Sequence, residues 1–346
     1  MHTVNIRIST RDMCAPLTVN KLLNTIRNSD AVLKLFWPRL VKGRGIKGEK
    51  RVSVKISSEN LEYLRGLKKE IRKKYDIFVS YTRIIAVLMK IYQNPEERVV
   101  VSLNVHGYKA LTPDFTDRLR GISRQIRDVL PDIFLIQEFR AGEGNKFLNI
   151  LMAGLEKFYT PLFPLSYRKQ DDYNNCICMI LVGKNIQKID PRRLKHESDG
   201  YRLRYNYVRL DDYVFLNTWA PQMYNADQER VGMAEAMWKE ILDTAKTFRA
   251  QNFKFFLAGD LNASVGGTYE DKILKLNYLL TETKTPEDLA IPTGPINVLD
   301  YAFVNREAAR SNNISTSILI PSIKEQELSD HEALFTTITA VRGRCV

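Results

Sequence analysis

The chain has 346 residues, 44% of them hydrophobic and 27% charged, and its 52 Lys and Arg against 40 Asp and Glu give a formal net charge of +12. That length suits a large core and more than one domain. No stretch approaches the roughly 18 apolar residues of a bilayer span, and the amino terminus, Met1 to Arg7, lacks the apolar run of a secretory signal. The four cysteines show no zinc-ligand spacing, so the expectation is a cytoplasmic protein with no membrane partner and with Cys14, Cys176, Cys178 and Cys345 as free thiols.

The charge is not evenly spread. Residues 1–98 hold 21 Lys and Arg against 9 Asp and Glu, while residues 99–346 hold 31 of each. A basic segment in front of a neutral one predicts a separate module, with a boundary at Asn94-Pro95-Glu96-Glu97 where proline and like charges interrupt the pattern. Residues 1–49 read as a poorly defined basic segment, with a strand at Val4–Ile8, a helix over 19–36 and a basic linker over 42–48. From Arg51 to Ile56 polar and apolar residues alternate as on a strand. Ser57 or Ser58 offers a helix cap, Leu61, Leu64, Leu67 and Ile71 recur at helical spacing, and Ser80 heads a second helix carrying Ile84, Ile85 and Leu88. This strand, helix, turn, helix order over residues 50–95 resembles the ribbon-helix-helix DNA-binding family, without the glycine usual between the helices. The resemblance implies that two chains pair their strands into a homodimeric ribbon, with Arg51, Ser53 and Lys55 facing DNA.

Beyond the boundary, apolar runs repeatedly end in polar groups. Val99–Leu103 leads to Asn104 and His106, Ile133–Ile136 to Gln137-Glu138, Tyr213–Leu216 to Asn217-Thr218-Trp219-Ala220-Pro221, and Phe253–Ala258 to Gly259-Asp260-Leu261-Asn262. Val298-Leu299 precedes Asp300, and Glu327-Leu328 precedes Ser329-Asp330-His331. The run before Gly259 reads as a strand covered on both faces. Asp260 and Asn262, two apart, would share one side of an extended backbone.

This series, above all Gln137-Glu138, Gly259-Asp260-Leu261-Asn262 and Ser329-Asp330-His331, resembles the endonuclease/exonuclease/phosphatase family over residues 98–340. The resemblance implies an α/β fold over residues 98–346: a four-layer α/β sandwich of two packed mixed sheets flanked by helices, with the small basic, mostly helical module in front. It also implies a site at one end of the sheets. There Glu138, assisted by Asn104 and Asp330, would hold magnesium or manganese, both of which prefer hard oxygen ligands. His331, oriented by Asp300, would contact the phosphate or move the nucleophile's proton. Asp260 would align the attacking water and Asn262 would hold a non-bridging oxygen. Two positions depart from the family pattern. Trp219 stands where His or Tyr is common and can donate one indole N–H but accept no proton, which leaves a catalytic donor or a core anchor. His106 stands where Asp or Asn is common and is expected at the rim or on the substrate phosphate, as is Gln222.

The expected function is a metal-dependent DNA endonuclease recruited to double-stranded DNA by its basic module. A phosphatase for a phosphoinositide or nucleotide headgroup and a non-catalytic DNA-binding protein with a degenerate nuclease domain are the alternatives.

Overall fold

The computed structural model describes residues 2–8, 23, 50–75, 80–81, 84–85 and 97–340, the last range without 108–113, 185, 187–202, 211, 222–227, 251–252, 268, 285–291, 295–296 and 320–321. Its contacts divide the chain into two compact units, Met1–Glu97 with Ile126–Leu130, and Arg98–Gln125 with Pro131–Val346. No helix among the described residues is long and apolar enough to cross a membrane.

In the first unit, β1 (His2–Ile8) pairs antiparallel with β2 (Lys50–Ile56), in register from His2 opposite Ile56 to Ile8 opposite Lys50. The partner strand expected from a second chain is therefore supplied by the same chain. The physical reason lies in HTVNIRI, which repeats the polar–apolar alternation of KRVSVKI, and a tethered strand outcompetes one from a separate molecule. Helix α1 (Ser58–Tyr75) starts as its sequence requires. Ser57 Oγ accepts the Asn60 N–H at 3.3 Å, satisfying one of the free amides of the first turn, and Leu61, Leu64, Leu67 and Ile71 form its buried stripe. Tyr81, Ile84 and Ile85 are helical after Ser80. The remainder of that helix, the linker, and all of the 19–36 helix but Leu23 lie outside the described residues.

In the second unit, β3 (Arg98–Asn104) and β4 (Ile133–Phe139) run parallel, joined through α2 (Phe115–Val129). After α3 (Lys146–Met152) come β5 (Tyr159–Leu162), β6 (Ile177–Gly183), β7 (Tyr205–Leu210) and β8 (Tyr213–Trp219). Helix α4 (Gln228–Ala250) connects β8 to the parallel β9 (Lys254–Asp260). Helix α5 (Glu270–Leu279), β10 (Thr281–Glu282), β11 (Asp300–Val304), α6 (Arg306–Ser311), β12 (Asn312–Ile318) and β13 (Leu334–Ala340) complete the unit.

Among the described residues, one sheet has the order β12-β13-β3-β4-β6-β5 and the other β10-β11-β9-β8-β7. Each contains one parallel pair in an otherwise antiparallel ladder, so both are mixed. Strand β9 shows why this is a sandwich. Phe256 and Ala258 pack with Ile133, Leu135 and Ile180 of the facing sheet, while Phe255 and Leu257 pack on Met237, Trp238 and Ile241 of α4. Both faces of Phe255 to Ala258 are therefore buried, as that apolar stretch predicted, and each fully buried Phe or Leu contributes about 1.5–3 kcal/mol.

Registry at the strand ends assembles the site. Asn104 lies beside Gln137 at the tips of β3 and β4. In the other sheet Trp219 lies beside Asp260 at the tips of β8 and β9, and Asp300 begins β11 opposite Asp260.

Candidate active site

The two sheets are joined at this end by side chains. Gln137 Nε2 donates to Asn217 Oδ1 at 2.6 Å and to Ser102 Oγ at 3.0 Å. Asn217 Nδ2 donates to the carbonyls of Ile136 and Met179, both at 2.9 Å, beside the irregularity between Ile136 and Phe139 in the β4–β6 ladder. Neither Gln137 nor Asn217 is exposed at all. Buried amide donors need partners, and here that requirement ties β4 to β8 through Gln137 Nε2 and Asn217 Nδ2.

Glu138 sits in that bulge with φ +52°, and His106 and Asn262 are also left-handed at their strand ends, with φ +52° and +46°. Each such non-glycine conformation costs about 1–3 kcal/mol and re-aims a side chain that a regular strand would send elsewhere. Two glycines permit the close approaches. A Cβ on Gly107 would lie 1.8 Å from the Glu138 carbonyl, and one on Gly259, at φ +153°, would lie 1.8 Å from the Thr218 carbonyl.

Asn104 is the hub. Its Nδ2 donates to Glu138 Oε1 at 2.9 Å and to Asp260 Oδ2 at 2.8 Å, and its Oδ1 accepts the His106 N–H at 2.8 Å. Ser329 Oγ donates to the Asn104 carbonyl at 2.6 Å and accepts the His331 N–H, bringing the last motif onto β3. His331 Nδ1 lies 2.8 Å from Asp300 Oδ2, and its Nε2 lies 4.0 Å from Asp260 Oδ2. The Asp300 backbone is fixed by Thr293 Oγ1, which accepts its N–H at 2.8 Å, and by Lys284 Nζ, which donates to its carbonyl.

These groups tune one another. Burial pushes the Asp260 carboxyl up to about 7, against the nearby His331 charge. Burial also raises Glu138, partly offset by the Asn104 amide. For His331, burial opposes the charge, but the carboxylates of Asp300 and Asp260 outweigh it and raise the imidazole to about 10. Burial thus favours the neutral form of Asp260, while Asp300 and Asp260 favour the charged form of His331.

The site fits a divalent cation. Glu138 Oε2 is buried and has no hydrogen-bond partner among the described residues, and neighbouring oxygens belong to carboxylates and an amide. Hard oxygen donors of this kind suit magnesium or manganese. Asp260, Asp300 and His331 also place one potential ligand atom each within 4.8 Å of the others. His331 Nδ1 faces Asp300, which leaves Nε2 toward Asp260.

Several sequence-predicted residues stand differently from expectation. Asn262 is not extended. Its N–H donates to Asp260 Oδ1 at 2.9 Å, and its Nδ2 to Asp260 Oδ2 at 3.1 Å and to the Ala220 carbonyl at 2.8 Å. Both amide hydrogens are thus engaged, and they hold Asn262 against Asp260 and the end of β8. Asp330, expected beside Glu138, pairs with His106 Nδ1 at the half-exposed rim. The Trp219 indole is only 4% exposed and lies under the Arg204 guanidinium. Gln222 lies outside the described residues, and Arg51, Ser53 and Lys55 belong to β2 of the other unit. Arg204 was not anticipated because its partner lies 15 positions away and only the β7–β8 register brings them together.

Residues 101–331 match the Endonuclease/Exonuclease/phosphatase family, more than half of the chain, and the protein belongs to that family. Its members hydrolyse phosphoester bonds with a divalent cation, the class of chemistry that this fold and site define. No curated protein sequence matches the chain. Among solved structures, TDP2 from Caenorhabditis elegans is similar in fold, with 14% identity, a TM-score of 0.53, and coverage of 86% of this chain and 98% of that one. A truncated form of the same protein gives 16%, 0.51, 71% and 99%. The 3'-5' exonuclease NExo from Neisseria meningitidis gives 14%, 0.54, 69% and 98%.

Proposed function

We propose that the protein is a magnesium-dependent endonuclease that hydrolyses phosphodiester bonds in double-stranded DNA. The observation that carries this reading is the convergence on one point of Glu138, Asn104, Asp260 and the His331–Asp300 pair from two sheets. When bound, the cation would neutralise the phosphate and stabilise the leaving oxygen. Glu138 would hold it, with the Asn104 amide fixing that carboxylate. Asp260, kept in place by Asn104 and Asn262, orients a water and takes its proton, a role suited to a carboxyl near 7. His331, held protonated by Asp300, presents Nε2–H to the charge that develops on the phosphate.

The preference for DNA rests on the first unit. Alternation along β1 and β2 places Thr3, Asn5 and Arg7 on one face of the ribbon, at register positions opposite Lys55, Ser53 and Arg51, with Val4, Ile6, Val52 and Val54 on the other. A two-stranded ribbon fits the major groove, and cationic residues on it gain from counterion release. One chain supplies both strands, so a single copy suffices, and its tether raises the local concentration of duplex around the catalytic unit. Replacing Arg7, Arg51 and Lys55 by serine should lower the salt slope of duplex binding by about 1 per lost phosphate contact. An unchanged slope refutes recruitment.

The activity is tested by incubating the full chain and its His331→Ala variant with supercoiled plasmid, single-stranded RNA and phosphoinositide vesicles, with magnesium or with a chelator. Magnesium-dependent plasmid nicking that the variant loses is expected. Phosphate release from the lipid without nicking would establish the phosphatase alternative, and no turnover of any substrate would establish a non-catalytic protein.

A further inference from the structure

Arg204 immediately precedes β7 and Trp219 ends β8. The pairing of Tyr205 with Thr218 sets the two side by side, and the Trp219 N–H donates to the Arg204 carbonyl at 3.0 Å. The guanidinium carbon lies 3.7 Å from the Trp219 ring centre, a stacking distance. The ring is a fixed wall, because the indole is buried and Trp219 is hydrogen-bonded into the hairpin. Arg204 remains half-buried, and its Nη1 is shielded from solvent without a hydrogen-bond partner among the described residues. Through the β7–β8 and β8–β9 registers it stands at the same strand ends as Asp260. An arginine that is stacked, partly desolvated and left with an unsatisfied donor at the strand ends that carry Asp260 is arranged for an anion that arrives from outside.

We propose that Arg204 is a substrate-binding residue that grips a non-bridging oxygen of the substrate phosphate, and that Trp219 is its positioning residue. The indole offers no acceptor and no exchangeable acid for the chemistry, and its face instead fixes the plane and height of the guanidinium. This explains how a tryptophan stands at a strand tip beside Asp260: the contact with phosphate passes from that position to the neighbouring strand of the hairpin. The inference rests on the phosphoester-hydrolase reading, and it specifies which cation of this chain holds the substrate.

The test has two arms, both in the full-length protein. In the first, plasmid nicking and hydrolysis of bis(4-nitrophenyl) phosphate are measured for Arg204→Ala, Arg204→Lys, Trp219→Phe and Trp219→Leu, with thermal unfolding as a check on folding. Arg204→Ala should lower kcat/KM about 10- to 100-fold, mainly through KM, as loss of a charge-assisted hydrogen bond does. Millimolar guanidinium should restore part of that loss in Arg204→Ala and nothing in Trp219→Leu. Trp219→Phe, which keeps an aromatic face, should retain most activity, whereas Trp219→Leu should fall towards Arg204→Ala. Wild-type kcat/KM in a folded Arg204→Ala protein overturns the proposal. So does a loss that tracks the fall in unfolding temperature and resists guanidinium. The second arm needs no turnover. The arginine Nε–H signal of Arg204, assigned through Arg204→Lys, is followed by NMR while inorganic phosphate is added. A saturable shift is expected, and its absence overturns the proposal. Absence of all hydrolysis with the NMR shift present refutes the enzymatic reading and leaves an anion site.

Discussion

Replacing Asn217 by leucine isolates what the amide bridge between the sheets contributes. The two side chains are similar in size, so the substitution leaves no large cavity. It removes the donor to the Ile136 and Met179 carbonyls and the acceptor of the Gln137 amide. A buried polar group left unsatisfied costs about 1–3 kcal/mol. Gln137 keeps its bond to Ser102, so the strain falls on the two carbonyls, which with partial relaxation amounts to about 3 kcal/mol. Against a total stability of about 5–15 kcal/mol the variant still folds. Urea unfolding should show a lower midpoint at unchanged m-value. Gln137→Leu and the double variant complete a cycle in which the double costs clearly less than the sum, because two facing apolar groups are cheaper than one orphaned amide. Activity measured well below the unfolding midpoint should also fall, since the bulge carrying Glu138 loses its anchor at Ile136. A stability change under about 1 kcal/mol, or strict additivity, would refute this account of the bridge.

Asn305 caps α6 and stitches it to β9: Oδ1 accepts from Ala308 N and Phe255 N, and Nδ2 donates to the Phe248 and Phe253 carbonyls. Asn305→Ala should cost about 3 kcal/mol in denaturant unfolding, combining a lost cap with buried orphans, while a Km for a small diester stays near that of the parent. Gly259→Ala should fail to accumulate as folded protein, because its Cβ would collide with the Thr218 carbonyl; a normal melting curve would show that the strand tip yields. Burial pushes the Cys176 thiol up to about 11 and Cys178 well above its ordinary range. Since only the thiolate reacts, alkylation of Cys176 should be slow at pH 8 and rise about tenfold per pH unit until that value. Peptide mapping after iodoacetamide treatment checks this, and rapid labelling at pH 8 refutes it. Asp300→Asn should keep the fold yet lower kcat more than KM, as it removes the charge that holds His331 protonated; an unchanged kcat would separate the pair from catalysis.

The sheets were legible because their strands announce themselves. Phe255 to Ala258 is apolar at every position since that part of β9 is covered on both faces, and the ends at Asn104, Glu138, Asp260 and Asp300 stand where the apolar runs stop or begin. Helix α1 was equally plain from Ser57 and its leucine spacing. What could not be read was convergence. The Asn104 amide spans Glu138 and Asp260, the latter 156 residues away, and no local pattern encodes that distance. The rule that residues two apart share a side misled for Asn262, because it assumes an extended backbone and Asn262 is left-handed. The pairing of β1 with β2 was hidden by similarity: two segments with the same alternation can pair within a chain or between chains, and composition does not choose.

Strand β13 lies between β12 and β3, and Ser329, just before it, clasps the carbonyl of Asn104 across 225 residues of sequence. On the ribosome, where chains emerge from the amino terminus, β3 must therefore wait with one bare edge until the final strand arrives. A nascent chain short of residue 331 lacks the imidazole that pairs with Asp300, so its site is incomplete. A prematurely terminated product would carry an uncovered β3 edge that marks it for aggregation or removal.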